Sequence, residues 1–131
     1  NIGNAINDMG WDLETQVVKI TSMWSIINNK DAFNEKHHHG NSALSAAYYV
    51  KAKQNAGNIV FFDPRQANVF HHPASKEVNN VNAQVQSVTP KAGTLVLFPS
   101  YLEHKVNPNL SEDERIVISF NVALIRKKDL L

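Results

Sequence analysis

Short segments with the composition of β-strands make up most of the sequence, and this pattern limits the folds that the chain can adopt. The segments are rich in β-branched and aromatic residues, and clusters of Gly, Pro, Asn or Asp separate most of them. Strands are predicted at residues 17–27, 44–53, 59–62, 81–89, 94–98, 101–106 and 115–124. Only residues 1–16, where an edge strand or a short helix is expected, leave room for helical structure. Many short strands joined by close turns are typical of an all-β sandwich or barrel.

Length and composition exclude several classes of protein. A chain of 131 residues predicts one domain spanning residues 1–131, and we expect that further sequence precedes Asn1. The formal charge of +1 does not favour nucleic acid as a partner. The absence of cysteine excludes disulfides, zinc–thiolate sites and thiol nucleophiles. No apolar run approaches the roughly 18 residues that cross a bilayer, so we expect a cytoplasmic protein without a membrane partner. Exposed edges of β-sheets often pair with one another, so a homodimer is one of the expected oligomeric states.

Three consecutive histidines, residues 37–39, are the first candidate for a chemical site. Neutral imidazole is the commonest metal ligand in proteins. Alternate residues of an extended segment point to the same face, so His37 and His39 can contact one metal while His38 points away. A His-x-His pair alone is a weak signal, and it becomes a strong one only with a third ligand.

His104 is the best candidate for that third ligand. It follows a predicted buried strand and a Pro-Ser turn. The triad of two histidines and one carboxylate in non-haem iron oxygenases uses such a layout, with one open face for substrate and oxygen. Arg115 begins the next predicted strand, and arginine can hold a carboxylate through two parallel hydrogen bonds. A dicarboxylate cosubstrate that chelates the metal would need such a group at its far end.

Four segments carry motifs in an order that resembles the 2-oxoglutarate- and Fe(II)-dependent oxygenases, with most similarity to a small bacterial and phage branch. They are His-x-His and Leu-Ser-x-x-Tyr-Tyr-Val within 37–50, Phe-x-Asp-Pro-Arg at 61–65, Gly-x-Leu-Val-Leu-Phe-Pro-Ser-x-Leu-x-His-x-Val-x-Pro-Asn at 93–109, and Arg-Ile-x-Ile-Ser-Phe-Asn at 115–121. The third segment is the most specific. The resemblance implies an all-β double-stranded β-helix, or jelly-roll, with few short helices.

The same resemblance implies roles for individual residues. His37, His39 and His104 would bind Fe(II), Arg115 would bind the remote carboxylate of 2-oxoglutarate, and Tyr48 would donate a phenol hydrogen bond to that carboxylate. The implied reaction consumes dioxygen, releases succinate and CO₂, and hydroxylates a small-molecule or peptide substrate. We expect the loop at 66–83 and the N-terminal segment to contact that substrate.

Two positions depart from the superfamily pattern. Many relatives carry Asp or Glu where this chain has His39, which leaves three interpretations open: three histidine ligands, replacement of one of them by His38, or a carboxylate from Asp63. The first is favoured. The second departure is Val117, where many relatives carry a serine that assists the arginine.

Two other functions remain open on the sequence alone. One is a cupin-type dioxygenase with three histidines that needs no 2-oxo acid, and the other is a non-catalytic jelly-roll that binds a metal or a ligand. His71 and His72 are expected at the surface of the 66–83 loop rather than in the site.

Overall fold

The computed structural model describes residues 2–65 and 73–130. Its elements, in chain order, are helix α1 (Ile2–Asp8), strands β1 (Gln16–Asn28), β2 (Asn34–His37), β3 (Leu44–Lys51), β4 (Ile59–Phe62), β5 (Val85–Val88), β6 (Leu95–Pro99), β7 (His104–Val106) and β8 (Arg115–Arg126), and a terminal 3₁₀ helix (Lys127–Leu130). The helical option for the N-terminal segment is therefore the one observed. No helix of the described ranges is long and apolar enough to cross a membrane.

The strands of the described residues form two four-stranded sheets. One sheet has the order β1-β8-β3-β6 and the other has the order β2-β7-β4-β5. All the strand pairs are antiparallel. Apart from β4 and β5, neighbouring strands are not consecutive in the chain, as a jelly-roll requires. The predicted double-stranded β-helix, dominated by β-structure with few short helices, is confirmed.

Alternation along the strands divides the first sheet into two faces. On the outer face, Ile6 of α1 packs in a cluster with Leu44, Ala46, Phe120 and Val122. Facing the second sheet are Ala47, Tyr49 and Val117, and a further cluster joins Phe98 to Ile59 and Phe61 of that sheet. Because successive residues of a strand point to opposite faces, Ala46 and Ala47 belong to different clusters. The space between the two sheets is where a site can form.

Three strands are shorter than the sequence predicts, and the smallest difference is at 44–53, where the strand ends at Lys51. The strand expected at 81–89 is confined to Val85–Val88, because the Asn79 side chain accepts hydrogen bonds from the N–H groups of Val81 and Asn82 and holds a turn there. The strand expected at 101–106 begins only at His104, after a turn in which the Leu102 N–H donates to the Pro99 carbonyl. Residues 66–72 of the predicted substrate loop, with His71 and His72, lie outside the described residues.

Candidate metal centre

Three of the predicted ligands converge between the sheets. His37 ends β2 and lies directly opposite His104, the first residue of β7, while His39 follows in the loop after β2. One ring nitrogen from each of the three histidines lies within 4.8 Å of the others. The ring centroids are 4.3 Å apart for His37 and His104, and 5.2 Å and 5.3 Å for His39 with each of them. Two nitrogens that are each about 2 Å from one metal ion are at most about 4 Å apart, so small rotations of these rings would bring all three nitrogens within reach of one ion.

Backbone carbonyls fix which nitrogen two of these rings present. Nδ1 of His37 lies 2.7 Å from the carbonyl oxygen of Glu35, and Nδ1 of His104 lies 3.0 Å from that of Leu102. A carbonyl only accepts, so each Nδ1 carries the proton and donates it. Nε2 of both rings is then left with a lone pair, the form in which imidazole binds a metal.

His39 is held by a different set of contacts. Its backbone N–H donates to the carbonyl oxygen of Ser100 at 2.9 Å, and its ring stacks on that of Trp24. The neighbouring Asn121 side chain favours the protonated ring and so opposes the lowering of the His39 pKa by burial. Asn121 is itself fixed, because the Ser45 hydroxyl donates to its Oδ1 at 2.8 Å. The backbone of His39 is thus fixed by Ser100, and its ring lies against the indole of Trp24.

Burial keeps the two less exposed histidines uncharged at neutral pH. Burial lowers the pKa of His104 to about 4. Burial, with a smaller contribution from the charge of His37, also lowers the pKa of His39. Neutral imidazoles need not release a proton before they bind a metal, so the centre is ready for a divalent cation at pH 7.

We expect the metal-free protein to lose stability as the pH falls from about 6.5 to about 4. In this interval the unfolded chain protonates His104 while the folded chain does not, so the unfolded state binds more protons and the free energy of unfolding decreases. Urea unfolding midpoints of the metal-free protein at pH 7 and pH 5 measure the effect. His104→Gln should reduce the difference between the two midpoints, and His38→Ala should preserve it. An undiminished difference in His104→Gln would contradict the claim that His104 causes the loss of stability.

The three histidines line a cavity of about 140 Å³ between the sheets. Asn28, Tyr49 and Arg115 also line it. Arg115 begins β8, and the Asn121 that neighbours His39 lies further along the same strand, so the cavity extends from the histidines towards the start of β8.

Arg115 is buried without a carboxylate partner. Only 1% of the residue is exposed, and no ion pair among the described residues includes it. Its Nη1 donates to the carbonyl oxygens of Ala56, Gly57 and Asn107, and its Nη2 donates to Oδ1 of Asn28 at 3.0 Å. These acceptors are neutral, and burial lowers the pKa of Arg115. A buried charge is costly unless an opposite charge accompanies it, so this end of the cavity suits an anion.

The tyrosine that lines the cavity beside Arg115 is Tyr49, whereas the sequence analysis selected Tyr48. Tyr48 is 38% exposed on the outer face of the sheet, whereas Tyr49 is 1% exposed and lines the cavity. Tyr49 pairs with Val117, two residues from Arg115 on the same face of β8. Burial raises the pKa of Tyr49, and the nearby charge of Arg115 opposes this change. The sequence alone does not say which face of β3 is covered by α1, so alternation could not choose between the two adjacent tyrosines.

The two alternative ligands lie outside the histidine group. Asp63 forms a bidentate ion pair with Arg65, with Nη2 and Oδ2 2.7 Å apart. His38 is exposed, and it is absent from the group of converging nitrogens found among the described residues. The structure therefore brings together His37, His39 and His104 and brings neither alternative to them.

Fold and site define a double-stranded β-helix with a three-histidine centre and a buried arginine. A family model described as "Putative 2OG-Fe(II) oxygenase" matches residues 22–121. The chain therefore belongs to this family of oxygenases, whose cofactor is Fe(II) and whose cosubstrate is 2-oxoglutarate. A search among curated proteins found no significant match.

Several solved structures have folds similar to that of this chain. An oxidoreductase of the 2OG-Fe(II) oxygenase family from Burkholderia pseudomallei superposes with a TM-score of 0.65 at 13% identity, over 82% of this chain and 46% of that one. HygX from Streptomyces hygroscopicus, solved with nickel and 2-oxoglutarate, superposes with a TM-score of 0.57 at 14% identity, over 82% of this chain and 58% of HygX. A prolyl-4-hydroxylase from Pseudomonas putida superposes with a TM-score of 0.55 at 20% identity, over 95% of this chain and 60% of the hydroxylase. The chain spans about half the length of these proteins, and at such identities the likeness shows the fold.

Proposed function

We propose that this chain is an Fe(II)- and 2-oxoglutarate-dependent dioxygenase that hydroxylates a small-molecule or peptide substrate and releases succinate and CO₂. One observation carries the proposal: a single cavity is lined by three converging imidazoles and by a buried guanidinium that has no carboxylate partner among the described residues. A 2-oxo dicarboxylate has groups for both, because its 2-oxo acid end chelates a metal and its other end is an anion.

In this proposal His37, His39 and His104 hold the metal. The neutral nitrogen donors fit Fe(II), and three ligands on one side leave further coordination positions open. Bound Fe(II) would supply the activation of dioxygen. The protein contributes orientation: the carbonyls of Glu35 and Leu102 fix two rings, and Ser100 with Trp24 holds the third residue.

Arg115 and Tyr49 would bind the remote carboxylate. Arg115 keeps its Nε–H and one Nη2 hydrogen free of hydrogen bonds to the described residues, and the Tyr49 hydroxyl makes none. Hydrogen bonds from a buried guanidinium to a carboxylate are charge-assisted and stronger than neutral ones. The apolar walls formed by Ile59, Phe98 and Val117 would exclude water from the cosubstrate.

The converging group found among residues 2–65 and 73–130 includes no carboxylate, which gives one reason to consider a three-histidine dioxygenase that needs no 2-oxo acid. That alternative assigns no task to Arg115. The unpaired guanidinium is therefore the feature that favours the 2-oxoglutarate-dependent enzyme, and Arg115 is the residue whose replacement separates the two.

We expect the protein, loaded with Fe(II) without oxygen, to develop a visible charge-transfer band when 2-oxoglutarate is added. Arg115→Met removes the charge but keeps most of the volume, so it should bind Fe(II) like the parent and give a band only at 2-oxoglutarate concentrations at least about 100-fold higher. Adding oxygen should then yield succinate from the parent.

Each step of this titration can contradict the proposal. Iron uptake by the parent without a band at any 2-oxoglutarate concentration would favour the three-histidine dioxygenase or a binding protein. An equally strong band in a folded Arg115→Met variant would remove Arg115 from the cosubstrate site.

A further inference from the structure

Asn28 lies beside Arg115 in the cavity. It is the last residue of β1, it is paired with Arg115 across the sheet, and it is 8% exposed. Its backbone carbonyl accepts a hydrogen bond from Nδ2 of the buried Asn109 at 3.1 Å, which holds the end of the strand in place. The backbone of Asn28 is held by Asn109, and its side-chain amide is held by Arg115. A buried side chain that is held in this way and faces the cavity is suited to bind a ligand.

The chemistry of the contact fixes the orientation of the Asn28 amide. A guanidinium only donates, so the amide must turn its Oδ1 towards Nη2 of Arg115, as observed at 3.0 Å. Its Nδ2 group is then directed away from the arginine, and it makes no hydrogen bond with the described residues. Asn28 thus adds two N–H donors next to the free donors of Arg115.

This part of the cavity offers donors and no free charged acceptor. Arg115, Asn28 and the Tyr49 hydroxyl have unused donors, and the uncharged side chains of Asn34 and Ser119 also line the cavity. No Asp or Glu is among the described lining residues, and Val117 provides no polar group. A carboxylate has two oxygens that accept about four hydrogen bonds, so it matches this set, and Asn28 supplies the contact that Val117 cannot.

We propose that Asn28 is a specificity-determining residue that, together with Arg115 and Tyr49, selects a 2-oxo acid with a terminal carboxylate over one with a terminal amide. The proposal rests on the proposed function above. A terminal amide places its own N–H₂ group against these donors, and unpaired buried donors are costly. Sites built on such hydrogen bonds discriminate strongly between ligands that differ in one polar group.

The test compares 2-oxoglutarate with 2-oxoglutaramate, its terminal amide, by calorimetric binding to the Fe(II)-loaded protein without oxygen. We expect the parent to prefer the acid by at least about 100-fold. In Asn28→Asp the new carboxylate neutralises Arg115, repels the terminal carboxylate and accepts from the amide, so the preference should fall at least about tenfold. Asn29→Asp adds the same charge at the exposed neighbouring position and should preserve the preference.

The outcomes separate this inference from the proposed function. An unchanged preference in a folded Asn28→Asp variant, or equal weakening of both ligands, would overturn the role of Asn28 alone. If Asn28→Asp does not fold, Asn28→Ala is measured in its place. About tenfold weaker 2-oxoglutarate binding with unchanged Fe(II) affinity would support the role of Asn28. Unchanged 2-oxoglutarate binding would overturn it. Failure of the parent to bind 2-oxoglutarate would overturn the proposed function, and this inference with it.

Discussion

Replacing His104 by alanine should weaken Fe(II) binding by at least about 100-fold. His104 is the most buried of the three converging histidines, and its Nδ1–H···O=C contact with Leu102 directs Nε2 towards the other two. Loss of a group that only orients a ligand already costs about 10- to 100-fold in metal affinity, so loss of a ligand itself should cost more. An anaerobic Fe(II) titration of parent and variant, followed by the metal content after gel filtration, measures the effect.

His38→Ala is the matched control for this experiment. It removes an imidazole from the same histidine run, but from an exposed position outside the converging group. We expect its Fe(II) affinity to equal that of the parent. If His38→Ala lost the metal while His39→Ala kept it, the interpretation in which His38 replaces His39 would be correct instead. Circular dichroism of each metal-free variant distinguishes ligand loss from misfolding.

The sequence predicted much of the metal centre because its geometry follows from strand periodicity. His37 and His39 were selected by the alternation of an extended segment, and His104 by its position after a buried strand and a turn. The structure adds the register that places His37 opposite His104. An all-β sandwich or barrel could be anticipated in the same way, since strand composition and turn residues are local properties of the sequence, whereas the jelly-roll was implied by the resemblance to the oxygenases.

The contacts around Arg115 could not be predicted from local patterns. Its partners come from the end of β1, from the turn before β4 and from the loop after β7, and Asn28 lies 87 residues away in sequence. Alternation also left two choices for the tyrosine of β3, and only the packing of α1 on the opposite face decides between Tyr48 and Tyr49. Periodicity gives the side chains that share a face, whereas tertiary packing gives the face that is inside.

Gly57→Ala should destabilise the protein by about 3 kcal/mol or more and weaken 2-oxoglutarate binding. Gly57 has φ +85°, a conformation that L-residues rarely adopt. A Cβ at this position would also overlap the carbonyl oxygen of Asn107 and lie 2.6 Å from that of Pro108 and 2.7 Å from Nη1 of Arg115. Two of these contacts are rigid backbone atoms, so either the turn or the guanidinium must move. Urea unfolding of the metal-free protein measures the loss of stability.

Gly93→Ala separates backbone strain from the steric overlap. Gly93 has nearly the same φ, +84°, but a Cβ there would meet no atom within 4 Å. Its replacement should cost only the strain, about 1 kcal/mol, and leave 2-oxoglutarate binding unchanged. The excess loss in Gly57→Ala then measures how tightly the carbonyls of Ala56, Gly57 and Asn107 surround Arg115. Equal losses of stability in the two variants, with equal 2-oxoglutarate affinity, would show that this backbone does not hold the guanidinium in place.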